Sequence, residues 1–172
     1  MSKVDRSCIV VGNGAVTYSV ECAIRADGSS PAREFLDELK AGAWSESEEP
    51  SDEQVSLYHR LVDVMKHMGE TGSPYIARRD LNYLHDGIWE FRAATLRLAF
   101  YDTPGDGTYT AKGKVARVDS AYPDDDDYWV PDFDSTLRLA NAWPKTGDYA
   151  DALDIDEAIA IRGEDLAHDN EE

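Results

Sequence analysis

Apolar and polar positions change period several times along this chain, and each change marks an element. From Val16 to Arg25 they alternate, with Val16, Tyr18, Val20, Cys22 and Ile24 set against Thr17, Ser19, Glu21 and Arg25. Period two is the mark of a strand with one buried face. Asp27-Gly28 breaks the pattern as a turn. Ser30-Pro31 then supplies an N-cap followed by proline at the first helical position. Ala32, Phe35, Leu36 and Leu39 recur at i, i+3, i+4 and i+7, which predicts a helix over Pro31–Lys40. The polar, acidic stretch Ala41–Asp52 reads as a mobile loop. Ser51 followed by Gln54 resembles a capping box for a second helix over Asp52–Met68. Val55, Tyr58, Leu61, Val62 and Met65 face its core, and Gly69–Ser73 ends it.

Period two returns downstream. Asp86-Gly87 is a hairpin signal, and it leads into two antiparallel strands, Ile88–Arg92 and Leu96–Asp102. Pro104–Gly107 is a further turn, and Gly113–Val118 is a candidate third strand. Thr136–Trp143 reads as the last strand, and Ile155–Ile161 as a short helix. Near the start, the apolar segment Val4–Gly14 closes on a Gly-Asn-Gly turn. Strands after a helical hairpin imply an α+β fold, a twisted, mostly antiparallel sheet with the hairpin packed on one face. A chain of 172 residues suits one core. The reading is a single domain over 1–172, with an acidic insert at about 103–134 and an acidic tail at about 163–172. Residues 119–134 are expected to loop outside the core.

Charge changes this picture most. The formal net charge is −18, and residues 118–172 hold 17 acidic against 3 basic side chains. Such a surface repels nucleic-acid phosphates unless the basic groups gather in one patch. The run Asp124–Asp127 lacks the alternating ligands and the glycine of a calcium loop. Cys8 and Cys22 form no Cys/His cluster, so no metal site is expected. They read as two free thiols in a reducing, cytoplasmic setting. No apolar run is long enough to span a membrane. No Gly-rich phosphate loop, no Ser-His-Asp pattern and no cofactor motif is present.

Two segments carry a resemblance. Gly28, Ser30, Pro31, Glu34, Phe35 and Leu36 match a "GxSPxxEFLdeL" helix start. Leu84, Asp86, Gly87, Ile88, Trp89, Glu90 and Arg92 match "Lxdg(I/L)WELR", with Phe91 in place of leucine. Leu96, Arg97, Phe100 and Tyr101 follow as the next strand. Leu137–Thr146 meets the family's last strand, with Trp143 at its aromatic position and Lys145 as one of its two lysines. Asp156, Ala158 and Arg162 meet the closing helix. In this order the segments resemble the RelE/HigB superfamily of toxins, and more closely its phage-derived HigB-like branch. The likeness covers residues 16–163. The chain departs from it in the acidic insert, in the missing second lysine and in Pro144.

The resemblance implies the toxin of a type II toxin-antitoxin system, an mRNA-cleaving ribonuclease that inhibits translation without a metal. It implies a helix-turn-helix antitoxin, the ribosome and mRNA as partners, and no cofactor. Cleavage at a 2′-hydroxyl needs a base, a cation for the phosphorane and an acid for the leaving oxygen. Arg97 and Lys145 carry over as the cations, joined by Arg92, whose fork suits phosphate. His85 is the acid–base candidate; His59 and His67 read as helix-surface residues. Arg78, Arg79 and Trp143 are candidate RNA contacts. Each has a plainer role open to it, a cross-strand ion pair with Glu90 for Arg92 and core packing for Trp143. The competing function is a catalytically inactive protein of the same fold, whose acidic surface contacts a basic protein partner.

Overall fold

The computed structural model describes residues 5–6, 17–116, 128–145 and 152–171. The first described elements are β1 (Ser19–Cys22) and the helices α1 (Pro31–Lys40) and α2 (Ser51–Thr71). A single turn, α3 (Ala77–Asp80), runs straight into β2 (Leu81–His85). The strands β3 (Ile88–Ala93), β4 (Leu96–Thr103), β5 (Val115–Ala116), β6 (Tyr128–Trp129) and β7 (Thr136–Pro144) follow, and α4 (Ala152–Asp169) closes the chain.

The local signals operate largely as the sequence implies. Ser30 Oγ accepts from the Arg33 N–H at 3.3 Å, and Pro31 opens α1. The two-residue loop between β2 and β3 places Asp86 at φ 53° and Gly87 at φ 78°, the left-handed pair that this hairpin type demands. Gly87 is required twice, because a Cβ there would stand 1.8 Å from the Tyr109 hydroxyl. The capping box of α2 does not form. Ser51 is already helical and its hydroxyl donates to the Gly42 carbonyl at 2.8 Å. Gln54 turns to the preceding loop, accepting from the Trp44 N–H at 2.8 Å and donating to the Glu49 carbonyl at 3.0 Å. The stretch expected as a mobile loop is thereby tied down, and Trp44 is buried against Phe35. The buried stripe of α2 is Leu57, Leu61, Val64, Met65 and Met68, with Tyr58 and Val62 only at its margin.

The main sheet has strand order β1-β7-β4-β3-β2, with β1 parallel to β7 and the other pairs antiparallel. A mostly antiparallel α+β sheet is therefore present. Of the candidate third strand, Val115–Ala116 forms β5, which pairs with β6 apart from the main sheet, while Arg117 and Val118 lie outside the described residues. The segment Val4–Gly14, apart from Asp5 and Arg6, and the run Asp124–Asp127 lie outside the described residues.

Helices cover both faces of the sheet. On one, α1 and α2 enclose Val20, Phe91, Leu98, Phe100, Leu137 and Leu139. On the other, α4 lays Ala158 and Ile161 over Ile88, Ala99, Tyr101, Ala140 and Trp143. Two expectations are corrected here. Phe133, in the stretch expected to loop outside the core, is 7 % exposed and meets Tyr18, Trp89 and Phe100 edge-on. An aromatic ring among acidic residues still partitions to the core when a slot is open. The closing helix also runs on through the supposed tail to Asp169, because Asp165 has partners inside. A third correction concerns Cys22, which is disulfide-bonded and not a free thiol; Cys8 lies outside the described residues.

Asp165 is fully buried. Its carboxylate accepts from the Ile24 N–H at 2.8 Å, Arg6 Nε at 2.9 Å, Arg138 Nη1 at 2.9 Å and the Tyr101 hydroxyl. Arg138, 3 % exposed, also reaches Asp169. Burial opposes its charge, but Asp169 and Asp165 outweigh burial and hold its pKa above the ordinary arginine value. The Tyr101 hydroxyl is pushed up by burial and by Asp165, so it stays a neutral donor. Asp165→Ala is expected to cost about 3–5 kcal/mol, since Arg6, Arg138 and the Ile24 N–H would all lose the buried acceptor they share. Urea unfolding at neutral pH measures this, and a loss below about 1 kcal/mol would contradict it.

Candidate functional site

The register of the sheet gathers most of the candidate residues at one end. Ala94 and Thr95 form the turn between β3 and β4, which sets Arg92 directly opposite Arg97. Leu81 pairs with Phe91, so α3 and Arg79 lie at this same end of β3. On the other side, Trp143 pairs with Arg97 and Pro144 with Leu96. The Lys145 N–H donates to the Thr95 carbonyl at 2.7 Å, which brings exposed Lys145 to the turn. Arg78 also belongs to α3; its side chain lies outside the described residues.

Glu90 holds the two opposed guanidinium groups. Its Oε1 lies 3.6 Å from Arg92 Nε and 3.7 Å from Arg97 Nε, and the Asn82 amide donates to it at 3.4 Å. Like charges directly across a strand pair repel, and a carboxylate between them offsets that. Glu90 is 3 % exposed, and its Oε2 meets no donor among the described residues. Burial raises its pKa above the usual carboxylate range, while Arg97 and Arg92 act in the opposite direction. Burial also lowers the pKa of Arg97, helped by repulsion from Arg92 and opposed by Glu90. Sequence reading treated Glu90 only as an ion-pair partner. The available signal was its two-residue spacing from Arg92, which puts both on one face of β3.

The remaining candidates separate. His85 pairs with Ile88 at the far end of β3, four residues from Arg92, or about 13 Å along a strand. Its Nδ1 lies 2.9 Å from Asp86 Oδ2 in solvent. It therefore does not belong with Arg92 and Arg97. Trp143 is 5 % exposed within the core under α4, so its ring offers no open face for stacking a base. Arg79 is exposed but forked onto Asp80 at 2.7 and 3.1 Å, which raises its pKa and engages its charge. Arg97 is 6 % exposed, and its Nη1 donates to the carbonyls of Ala94 and Leu96 at 2.8 and 2.9 Å. It clamps a turn in which Ala94 sits at φ 51°, a conformation costly to any residue with a Cβ. The sequence matches no protein-family model and no curated protein. Among the described residues, no group of three or more His, Cys, Asp or Glu forms a metal cage, and no helix is long and apolar enough to cross a membrane.

Two outcomes follow from this geometry. Ala94→Gly is expected to stabilise the fold by about 1 kcal/mol in urea unfolding, through relief of the left-handed Cβ clash. A destabilised variant would mean that the turn is not strained. The raised pKa of Glu90 also has a fixed sign. Its contribution to stability is fully present below the unfolded-state pKa, near 4.5. It is lost as pH rises through the higher folded-state value. Urea unfolding of wild type and Glu90→Gln between acidic and neutral pH should therefore show the wild type losing stability relative to the variant as pH rises. Parallel profiles would count against the shift.

Proposed function

We propose that this protein is a RelE/HigB-like toxin whose arginine end binds and cuts mRNA. The observation that carries the reading is the convergence of Arg92, Arg97 and Lys145 around one turn of the sheet. In a chain of net charge −18, a concentration of cations at a strand end is the arrangement that a phosphate ligand requires. Arg92 and Lys145 would meet the RNA, with Arg97 holding the turn beneath them. Glu90, with a raised pKa, takes the place of base that His85 is too distant to fill. A RelE-like fold, a helix-turn-helix antitoxin, contact with the ribosome, a cytoplasmic location and independence from cofactors all belong to this proposal. The disulfide at Cys22 stands against the cytoplasmic part, since a reducing compartment keeps thiols free.

The test is induced expression of the full chain with growth, translation and mRNA integrity followed together. Wild type is expected to arrest growth and cleave transcripts. Arg92→Ala with Lys145→Ala is expected to lower cleavage by about 10²–10³-fold, the usual loss when a donor that stabilises the transition state is removed. Arg97→Ala is a poorer probe, because it also releases the Ala94 turn. Folded wild-type protein that leaves transcripts intact would reject the reading.

One observation favours the second reading, a catalytically inactive binding protein with an acidic surface for a basic partner. The guanidinium groups of Arg97 and Arg79 are already engaged, one by turn carbonyls and the other by Asp80. That reading expects no growth effect from the wild type and a salt-sensitive complex with the partner.

A further inference from the structure

We propose that the cleft between α1, the edge of β7 and the first turns of α4 binds an arginine side chain of a basic protein partner. The proposal does not depend on whether the turn between β3 and β4 cuts RNA, because binding alone reports on it.

The cleft arises from the strand pairing. β1 pairs with β7 only as far as Leu139. Beyond that point β7 carries one extra residue. Phe100 pairs with Leu139 and Leu98 with Ala142, so Ala140 and Asn141 both face Ala99. A bulge of this kind re-aims a side chain. Leu139 and Ala142 fall on the α1 side of the sheet and Ala140 and Trp143 on the α4 side, which leaves Asn141 as the residue out of phase. It lines a cleft of about 280 Å³ between the two helices.

The lining is one-sided in charge. Glu34 and Glu38 come from α1, Glu46 from the following loop, and Asp154 and Glu157 from α4. No lysine or arginine among the described residues lines it. Glu157 is shared with Arg25 at 3.3 Å, whereas Glu34, Glu38 and Glu46 have no ion-pair partner among the described residues.

Asn141 makes this more than an acidic patch. It is 5 % exposed. Its Nδ2 donates to the Asp154 carbonyl at 3.1 Å, while its Oδ1 meets no donor among the described residues. Exchanging the amide oxygen and nitrogen would set oxygen against the Asp154 carbonyl, so the Asp154 contact fixes which atom is left over. A buried acceptor without a donor is unfavourable, and a ligand that donates to it removes the penalty.

The charged groups on offer are thus all acceptors, joined by the Asn141 Oδ1, and the surrounding charge is negative. Guanidinium matches this, with five donors, no acceptor and a permanent charge. The buried rings of Phe35 and Trp44 also border the cleft, and the spread of acceptors around it suits a planar fork of donors over a compact ammonium.

The experiment follows the amide and indole resonances of the ¹⁵N-labelled full chain at low salt. The probes are an acetylated, amidated Gly-Arg-Gly peptide, its citrulline counterpart and spermidine. Saturable shifts at the Asn141 side-chain amide and the Trp44 indole are expected with the arginine peptide. The citrulline peptide should bind at least about tenfold more weakly, the loss expected for charge-assisted hydrogen bonds. Asn141→Ala should abolish the Trp44 shift. Since that residue is buried, the exposed pair Glu34→Gln and Glu38→Gln provides a variant that keeps the fold, and it should also weaken binding by about tenfold. Equal binding of the arginine and citrulline peptides, spermidine binding as tightly as the arginine peptide, or unchanged binding by the glutamine pair would each overturn the proposal.

Discussion

A carboxylate out of reach of water must be surrounded by donors, and Asp165 is. Four donors from four parts of the chain converge on it: Arg6, the Ile24 N–H after β1, Tyr101 on β4 and Arg138 on β7. The interaction decides the architecture beyond its own neighbourhood. It holds α4 across the sheet face opposite α1 and α2, and so produces three layers where two were expected. It also sets the direction of α4, whose first turn then lies beside Asn141 and whose last turn reaches Arg138. Apolar contacts alone specify this loosely, because Ala23, Ala99, Ala140 and Ala158 are among the buried residues of this layer and small side chains interlock little. Ionic groups satisfied from several directions tolerate few alternative arrangements.

The same sheet separates two kinds of surface. Around the turn between β3 and β4 the chain concentrates positive charge, with Glu90 buried between two arginines as a local counter-charge. Along the β7 edge the helices place carboxylates around an amide oxygen that meets no donor among the described residues. The two surfaces draw on one strand. β7 delivers Lys145 to the first and, through its bulge, Asn141 to the second. An excess of acid overall is compatible with both, since screening limits surface charges to a range of about 8–10 Å.

The elements themselves were legible in the pattern of the chain. α1 carries its own N-cap, its proline and a helical stripe. The β2–β3 hairpin carries Asp86-Gly87, and period two reports β3 and β4. These are local properties, set by steric preference and side-chain spacing, and neighbours in sequence suffice to establish them. The net charge and its bias toward the C-terminal third were likewise plain. So was the antiparallel pairing of the two strands that carry Arg92 and Arg97, although the structure set the register.

What the tertiary structure alone decided is where distant segments meet. Nothing near Asp165 announces a buried charge; it stands among acidic residues that read as a solvated tail. Its burial depends on Arg138 and Tyr101, which lie 27 and 64 positions earlier in the chain. Gln54 likewise turns from a capping role to bind the Trp44 backbone, because the loop returns alongside it. His85 and Arg92 look close in sequence, but His85 on β2 lies beside Ile88, at the opposite end of β3 from Arg92. The bulge at Asn141 leaves no local mark, because the extra residue is defined only against the register of β4. Periodicity records which residues face inward; it carries no information about which partner a buried polar group will meet.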